Sequence, residues 1–151
     1  MNFYETSIYL FSVSWRCGEK PQGSKETRPY AGEIEKNVTA ARKYSRFAVD
    51  SGFIPIAPHL LFPQFLNDND PEQRILGITL GVEQMKVCDE IWIFGGRISN
   101  GMAFELEQAK ELGIPARLYD DDGNRISPAT MMIDDRVSEE YRKAIHGLKF
   151  V

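Results

Sequence analysis

The sequence predicts an α/β fold, doubly wound around a parallel sheet of four to five strands with helices on both faces. Three observations predict it. Short apolar runs alternate with segments whose apolar residues recur at helical spacing. One run, Glu90-Ile91-Trp92-Ile93-Phe94, is followed by Gly95-Gly96 and reads as a buried strand leaving a parallel sheet. The stretch from Ser99 to Pro115 then opens on cap residues, Ser99 or Asn100, and carries Met102, Leu106, Ala109 and Leu112 as an apolar face. Gly113 and Pro115 stop that helix.

The other elements follow in chain order. Ser7 to Val13 is apolar almost throughout and reads as a central first strand. Trp15 to Pro29 has no periodicity and contains Lys20, Lys25 and Arg28. A long unpatterned loop in a compact domain is a functional lid or a mobile insertion; here it is read as a mobile insertion over 15–29, whose basic residues would touch a phosphate if it closed as a lid. From Ala31 to Ser51, Ile34, Val38, Ala41, Ala48 and Val49 recur at helical spacing, and Gly52 ends the run. Phe53 to Ala57 is a short strand whose internal Pro55 places it at an edge.

Asn67-Asp68-Asn69-Asp70-Pro71 is a polar turn, after which Ile75, Ile78, Val82 and Met85 mark a helix from Glu72 to Val87. Ala116 to Tyr119 is a fourth strand, and Ala129 to Ile133 a candidate short fifth one. Asp120-Asp121-Asp122 and Asp134-Asp135 read as solvated turns, because consecutive carboxylates point different ways and calcium-loop spacing is absent. Ser138 caps a terminal helix within residues 134–151, with Val137, Tyr141, Ile145 and Leu148 as its apolar side. The chain is thus expected to form a single domain over residues 1–151, flavodoxin-like or Rossmann-like in winding, with right-handed crossovers.

Composition narrows the function classes. The 151 residues carry 18 basic and 22 acidic side chains, a net charge of −4 with no basic stripe. A nucleic-acid-binding face is not expected. No signal peptide or membrane-spanning run is evident, and Cys17 and Cys88 suggest neither a disulfide framework nor a zinc site. A cytoplasmic protein with no membrane partner, no metal and no cofactor is the expectation.

In open parallel sheets, ligands bind past the carboxyl ends of the strands and against helix N-termini. Glu105 lies a little over one turn into the Ser99 helix. If Asn100 is the cap, the capping-box position is Ala103, so Glu105 is either a partner of the helix dipole or a carboxylate nucleophile aimed at a sugar anomeric carbon. Ser99, Asn100 and Gly101 are simple caps or the donors for an anion such as a 5′-phosphate. Tyr9, on the first strand, is either core or the phenol that holds Glu105 in place. His59 follows the second strand at the same crevice, as a packed residue or a proton donor to a leaving base.

At these residues the sequence resembles the nucleoside 2-deoxyribosyltransferase-like superfamily, which includes 2′-deoxynucleoside 5′-phosphate N-hydrolases and small uncharacterised bacterial and phage proteins. The motif stands as Gly101-Met102-Ala103-Phe104-Glu105-Leu106-Glu107-Gln108-Ala109, and Tyr9 stands in Ile8-Tyr9-Leu10-Phe11. The resemblance reaches to about Tyr119 and includes Pro29 to Asn37 and Ile56 to Pro63. It implies Glu105 as nucleophile and Tyr9 as its orienting residue. Where the transferases carry an aspartate before the motif glycine, this chain has Ser99-Asn100. Ser99 matches the phosphate-binding serine of the N-hydrolases, so a 5′-phosphorylated substrate is implied. A further family carboxylate, contacting sugar or base, falls at Gly81; either Glu83, two residues on and on another helix face, substitutes for it, or sugar recognition and catalysis have changed.

The function implied is cleavage or exchange of an N-glycosidic bond in a nucleoside or nucleotide by a homo-oligomer. Its alternative is a catalytically silent nucleotide-binding module.

Overall fold

The computed structural model describes residues 7–11 and 31–151. Four parallel strands form the main sheet: β1 (Ser7–Phe11), β2 (Ile54–Ile56), β3 (Glu90–Phe94) and β5 (Ala116–Tyr119), in the order β2-β1-β3-β5. The winding reverses between β1 and β3, which opens the crevice expected of a doubly wound sheet. Tyr9 occupies the register position between Ile56 and Ile91, and its side chain lies outside the described residues. So do Ser12, Val13 and the expected loop over 15–29.

Alternation along β3 divides the interior into two chemically different layers. Ile91 and Ile93 join Met85, Met102, Leu106 and Ile145 in an aliphatic core on one face. Trp92 and Phe94 face the other way, onto Tyr44 and Ala48 of helix α1 (Ala31–Asp50), with Tyr119 beside them. The helices α3 (Pro71–Met85), α4 (Asn100–Glu111) and α5 (Glu139–His146) supply the first layer and α1 the second. Both faces are therefore covered.

Several expectations shift at the edges of elements. Leu112, Ile75 and Val49 are 43%, 65% and 38% exposed, although each falls on the apolar stripe read from its helix. Helical spacing finds a stripe, and the neighbouring elements decide which part of it is covered. The candidate fifth strand is not in the main sheet. A 3₁₀ turn occupies Pro128–Thr130, and only β6 (Met132–Ile133) is extended, paired in parallel with a second short strand, β4 (Arg97–Ile98). This small sheet forms because Gly95 and Gly96, at φ 90° and 68°, turn the chain sharply out of β3.

Asp134 is no solvated turn. It is 7% exposed, and its carboxylate accepts from the Arg136 backbone N–H at 3.0 Å and from Arg136 Nη2 at 2.7 Å. Asp120 does close its own exposed turn, accepting from the backbone N–H of Asn124 at 2.8 Å and of Asp122 at 2.9 Å. The Asn124 donors, foremost among these bonds, hold its carboxyl below the usual aspartate range. No helix among the described residues is long and apolar enough to cross a membrane.

Candidate active site

Two loops at the carboxyl ends of the strands build the crevice. The first leads through β4 to Ser99, the N-cap of α4, at φ −80° and ψ 161°. The Ser99 side chain makes no capping bond, and its Oγ is buried with no hydrogen-bond partner among the described residues. Met102 N–H instead donates to the Ser99 carbonyl at 3.1 Å. Ala103, Leu106 and Ala109 are fully buried in the aliphatic core and lock the helix against the sheet. That anchoring turns Gly101, Met102 and Glu105, one turn apart on the neighbouring stripe, toward a cleft. Glu105 is 6% exposed, a buried carboxylate that nevertheless lines the cleft.

The second loop leaves β2 as a four-residue helix, α2 (Pro58–Leu61), with Pro58 in the first helical position, where a missing N–H costs nothing. A 3₁₀ turn over Phe62–Gln64 follows, and Leu66 N–H donates to the Phe62 carbonyl at 2.8 Å. The polar turn is then cross-braced. Asp70 caps α3 through the Glu72 N–H at 3.0 Å and also accepts from Gln73 Nε2 at 3.0 Å. Gln73 Oε1 accepts from the Asn67 N–H at 2.8 Å, so its amide is spent on holding the turn. This bracing presents Asp68 and Arg74 to the same cleft as His59 and Glu105.

His59 is half-buried, and desolvation lowers its pKa from 6.5 to about 4, against the opposing charge of Asp68. The imidazole is neutral at physiological pH. The expected proton donor is therefore not an imidazolium, because the surroundings that place His59 at the cleft also strip the water that would stabilise its charge. Cys88 is likewise buried, and burial pushes its thiol up to about 12, leaving it unreactive.

The remaining expected residues divide. Gly101 lines the cleft, whereas Ser99 and Asn100 are not among its lining residues. Glu83 is exposed and paired with Lys86 at 2.6 Å, half a helical turn around α3 from Arg74. The structure does not bring it to the cleft. Gly81, at the position where a carboxylate is expected by resemblance, is buried. Sequence reasoning passed over Asp68 and Arg74, which it saw only as part of a polar turn and the helix after it. The signal was the density of Asx residues, whose mutual bonds predict a rigid turn but not what it faces.

The fold is that of a transferase of known structure. The 2-deoxyribosyltransferase of the psychrotolerant bacterium Bacillus psychrosaccharolyticus superposes with a TM-score of 0.53 at 17% identity, over 93% of this chain and 90% of that one. A conserved protein of Enterococcus faecalis V583 aligns over 97% of this chain and 89% of its own, also at 17% identity, with a TM-score of 0.48. No curated protein matches the chain. A family model covers residues 27–119, from before α1 through β5, and so takes in His59, Asp68, Arg74 and Glu105. The chain belongs to that family, described as a domain of unknown function, DUF7768.

Proposed function

We propose that the protein cleaves or exchanges the N-glycosidic bond of nucleosides or their 5′-monophosphates, with Glu105 as nucleophile. The observation that carries this reading is a carboxylate 6% exposed that still lines the cleft beside the first turn of α4. Burying a carboxylate is costly, and an ordinary dipole partner would stand in solvent. Glu105 attacks the anomeric carbon, the bond to the base breaks, and the base leaves with the electron pair and takes up a proton. Water then displaces Glu105 in a hydrolase, or a second base does so in a transferase. Tyr9, in register beside Ile91, orients Glu105. Of the residues expected to hold a 5′-phosphate, Gly101 lines the cleft, and Ser99 and Asn100 support it from the cap.

The test is a panel of nucleosides and 5′-monophosphates, with and without an acceptor base, followed by chromatography of the free base. Glu105→Gln is expected to lose on the order of a thousandfold or more in turnover. Full turnover by Glu105→Gln would refute the nucleophile.

A second reading, a catalytically silent nucleotide-binding module, is favoured by the buried Gly81 in place of a carboxylate. It predicts thermal stabilisation by nucleotides with no base release, unchanged in Glu105→Gln. Self-association also belongs to the proposal. Ile75 and Leu76 of α3 and Phe104 of α4 are 65%, 46% and 40% exposed, apolar surface suited to a second copy. A monomer in analytical ultracentrifugation would remove that part.

A further inference from the structure

The cleft has two dissimilar sides. Glu105, Gly101 and Met102 come from α4, while Phe62, Pro63 and the polar pair Asp68 and Arg74 come from the α2–α3 segment. Displacement at an anomeric carbon is in line, so the nucleophile and the leaving base stand on opposite faces of the sugar. With Glu105 on the α4 side, the base is directed to the other side. There the ring of Phe62 and the face of Pro63 offer apolar surface to a planar heterocycle.

We propose that Asp68 and Arg74 read the edge of the leaving base and select bases that carry an exocyclic amino group over their oxo counterparts. This rests on the glycosidic reading above. An ionised carboxylate only accepts hydrogen bonds and a guanidinium only donates them. A base satisfies both when an amino donor stands next to a ring-nitrogen or carbonyl acceptor, as in cytosine, adenine and guanine. Replacing the amino group by an oxygen turns an acceptor toward Asp68, leaving two sets of lone pairs opposed. His59 and Gln73 also line this side, and both amide atoms of Gln73 are engaged in the turn. The same bracing fixes the backbone that carries Asp68 and Arg74, a preorganisation that favours discrimination.

The experiment uses two pairs of substrates that differ only at this atom: deoxycytidine against deoxyuridine 5′-monophosphate, and deoxyadenosine against deoxyinosine 5′-monophosphate. Base release is measured for wild type and Asp68→Asn, and dissociation constants for the same nucleotides on the Glu105→Gln protein by calorimetry. Circular dichroism confirms that each variant folds. The expected result is a preference of about ten- to hundredfold for the amino member in wild type, lost or reversed in Asp68→Asn, whose amide can donate to the oxo group. Base release without an amino preference overturns this inference and leaves the glycosidic reading standing. An unchanged preference in folded Asp68→Asn also overturns it. A preference in binding alone, without release from any substrate, supports the recognition edge while refuting glycosidic turnover. Failure of every nucleotide to bind overturns both. If Arg74→Ala removes discrimination between monophosphates and nucleosides and leaves the amino preference, Arg74 is a phosphate ligand and the paired reading is wrong.

Discussion

The Tyr44 hydroxyl donates to Asp121 Oδ1 at 2.7 Å while its ring stacks on Phe94 at 4.1 Å between centroids. One side chain thus ties α1 to both the central strand and the turn after β5. Burial, followed by the Asp121 carboxylate, raises the phenol pKa well above its usual value, so it stays protonated as a donor. Tyr44→Phe is expected to keep the stacking and lose about 1–2 kcal/mol in urea denaturation, and Tyr44→Ala to lose about 3–5 kcal/mol. No loss in Tyr44→Phe would show that the hydrogen bond contributes nothing, and equal losses for the two would show the same of the ring.

The buried Asp134 gives a second contrast. Its carboxylate takes two bonds from the Arg136 side chain, at 2.7 and 3.0 Å, but only a longer one, 3.4 Å, from Arg97, which is 48% exposed. Asp134→Ala is expected to cost about 2–3 kcal/mol, because it strands the donors gathered around it. Arg97→Ala is expected to cost less than about 1 kcal/mol, because the Arg97 end of the pair is half-exposed, its bond is long and Arg136 still holds the carboxylate. Thermal or urea unfolding of the two variants, compared at one ionic strength, checks the order.

His59 makes stability depend on pH in a defined window. Its folded pKa, about 4, lies below the unfolded value of 6.5, so between these the unfolded chain binds more protons. The contribution is fully present above pH 6.5 and is lost as the pH falls toward 4. Between pH 7.5 and 4.5 this amounts to about 2 kcal/mol. Denaturation of wild type and His59→Asn at those two pH values is expected to show a smaller loss in the variant. An identical loss would assign the dependence to other groups.

What could be read from the sequence and what could not divide along one physical line. Trp92 and Ile93 announce a buried strand because a short run of β-branched and aromatic residues closed by two glycines is a local property. Ser138 announces its helix because its hydroxyl bonds Tyr141 N–H three residues on, at 3.3 Å. The exposed Leu112 and the buried Asp134 were misjudged for the opposite reason. Leu112 is left 43% exposed among the described residues, which no pattern within α4 encodes. Asp134 is buried by β4, whose Ile98 carbonyl accepts its N–H at 2.9 Å across 36 residues of chain. The site shows the same division. Glu105 stands in a recognisable motif, whereas Asp68 and Arg74 reach the cleft only through the bracing of the polar turn.

The two outer strands of the sheet are each closed to further pairing, by different means. β2 is three residues long with Pro55 at its centre, a strand that cannot offer a full ladder to another chain. β5 is covered instead by residues 149–151. Ala116 N–H donates to the Lys149 carbonyl at 2.8 Å, Val151 N–H returns to the Ala116 carbonyl at 2.9 Å, and Arg125 donates to the Val151 carbonyl. Residues 149–151 therefore occupy the flank of β5 that another chain would otherwise pair with. Shortening the chain by residues 149–151 is expected to bare an adhesive flank, seen as light scattering that rises with protein concentration where the intact chain stays clear.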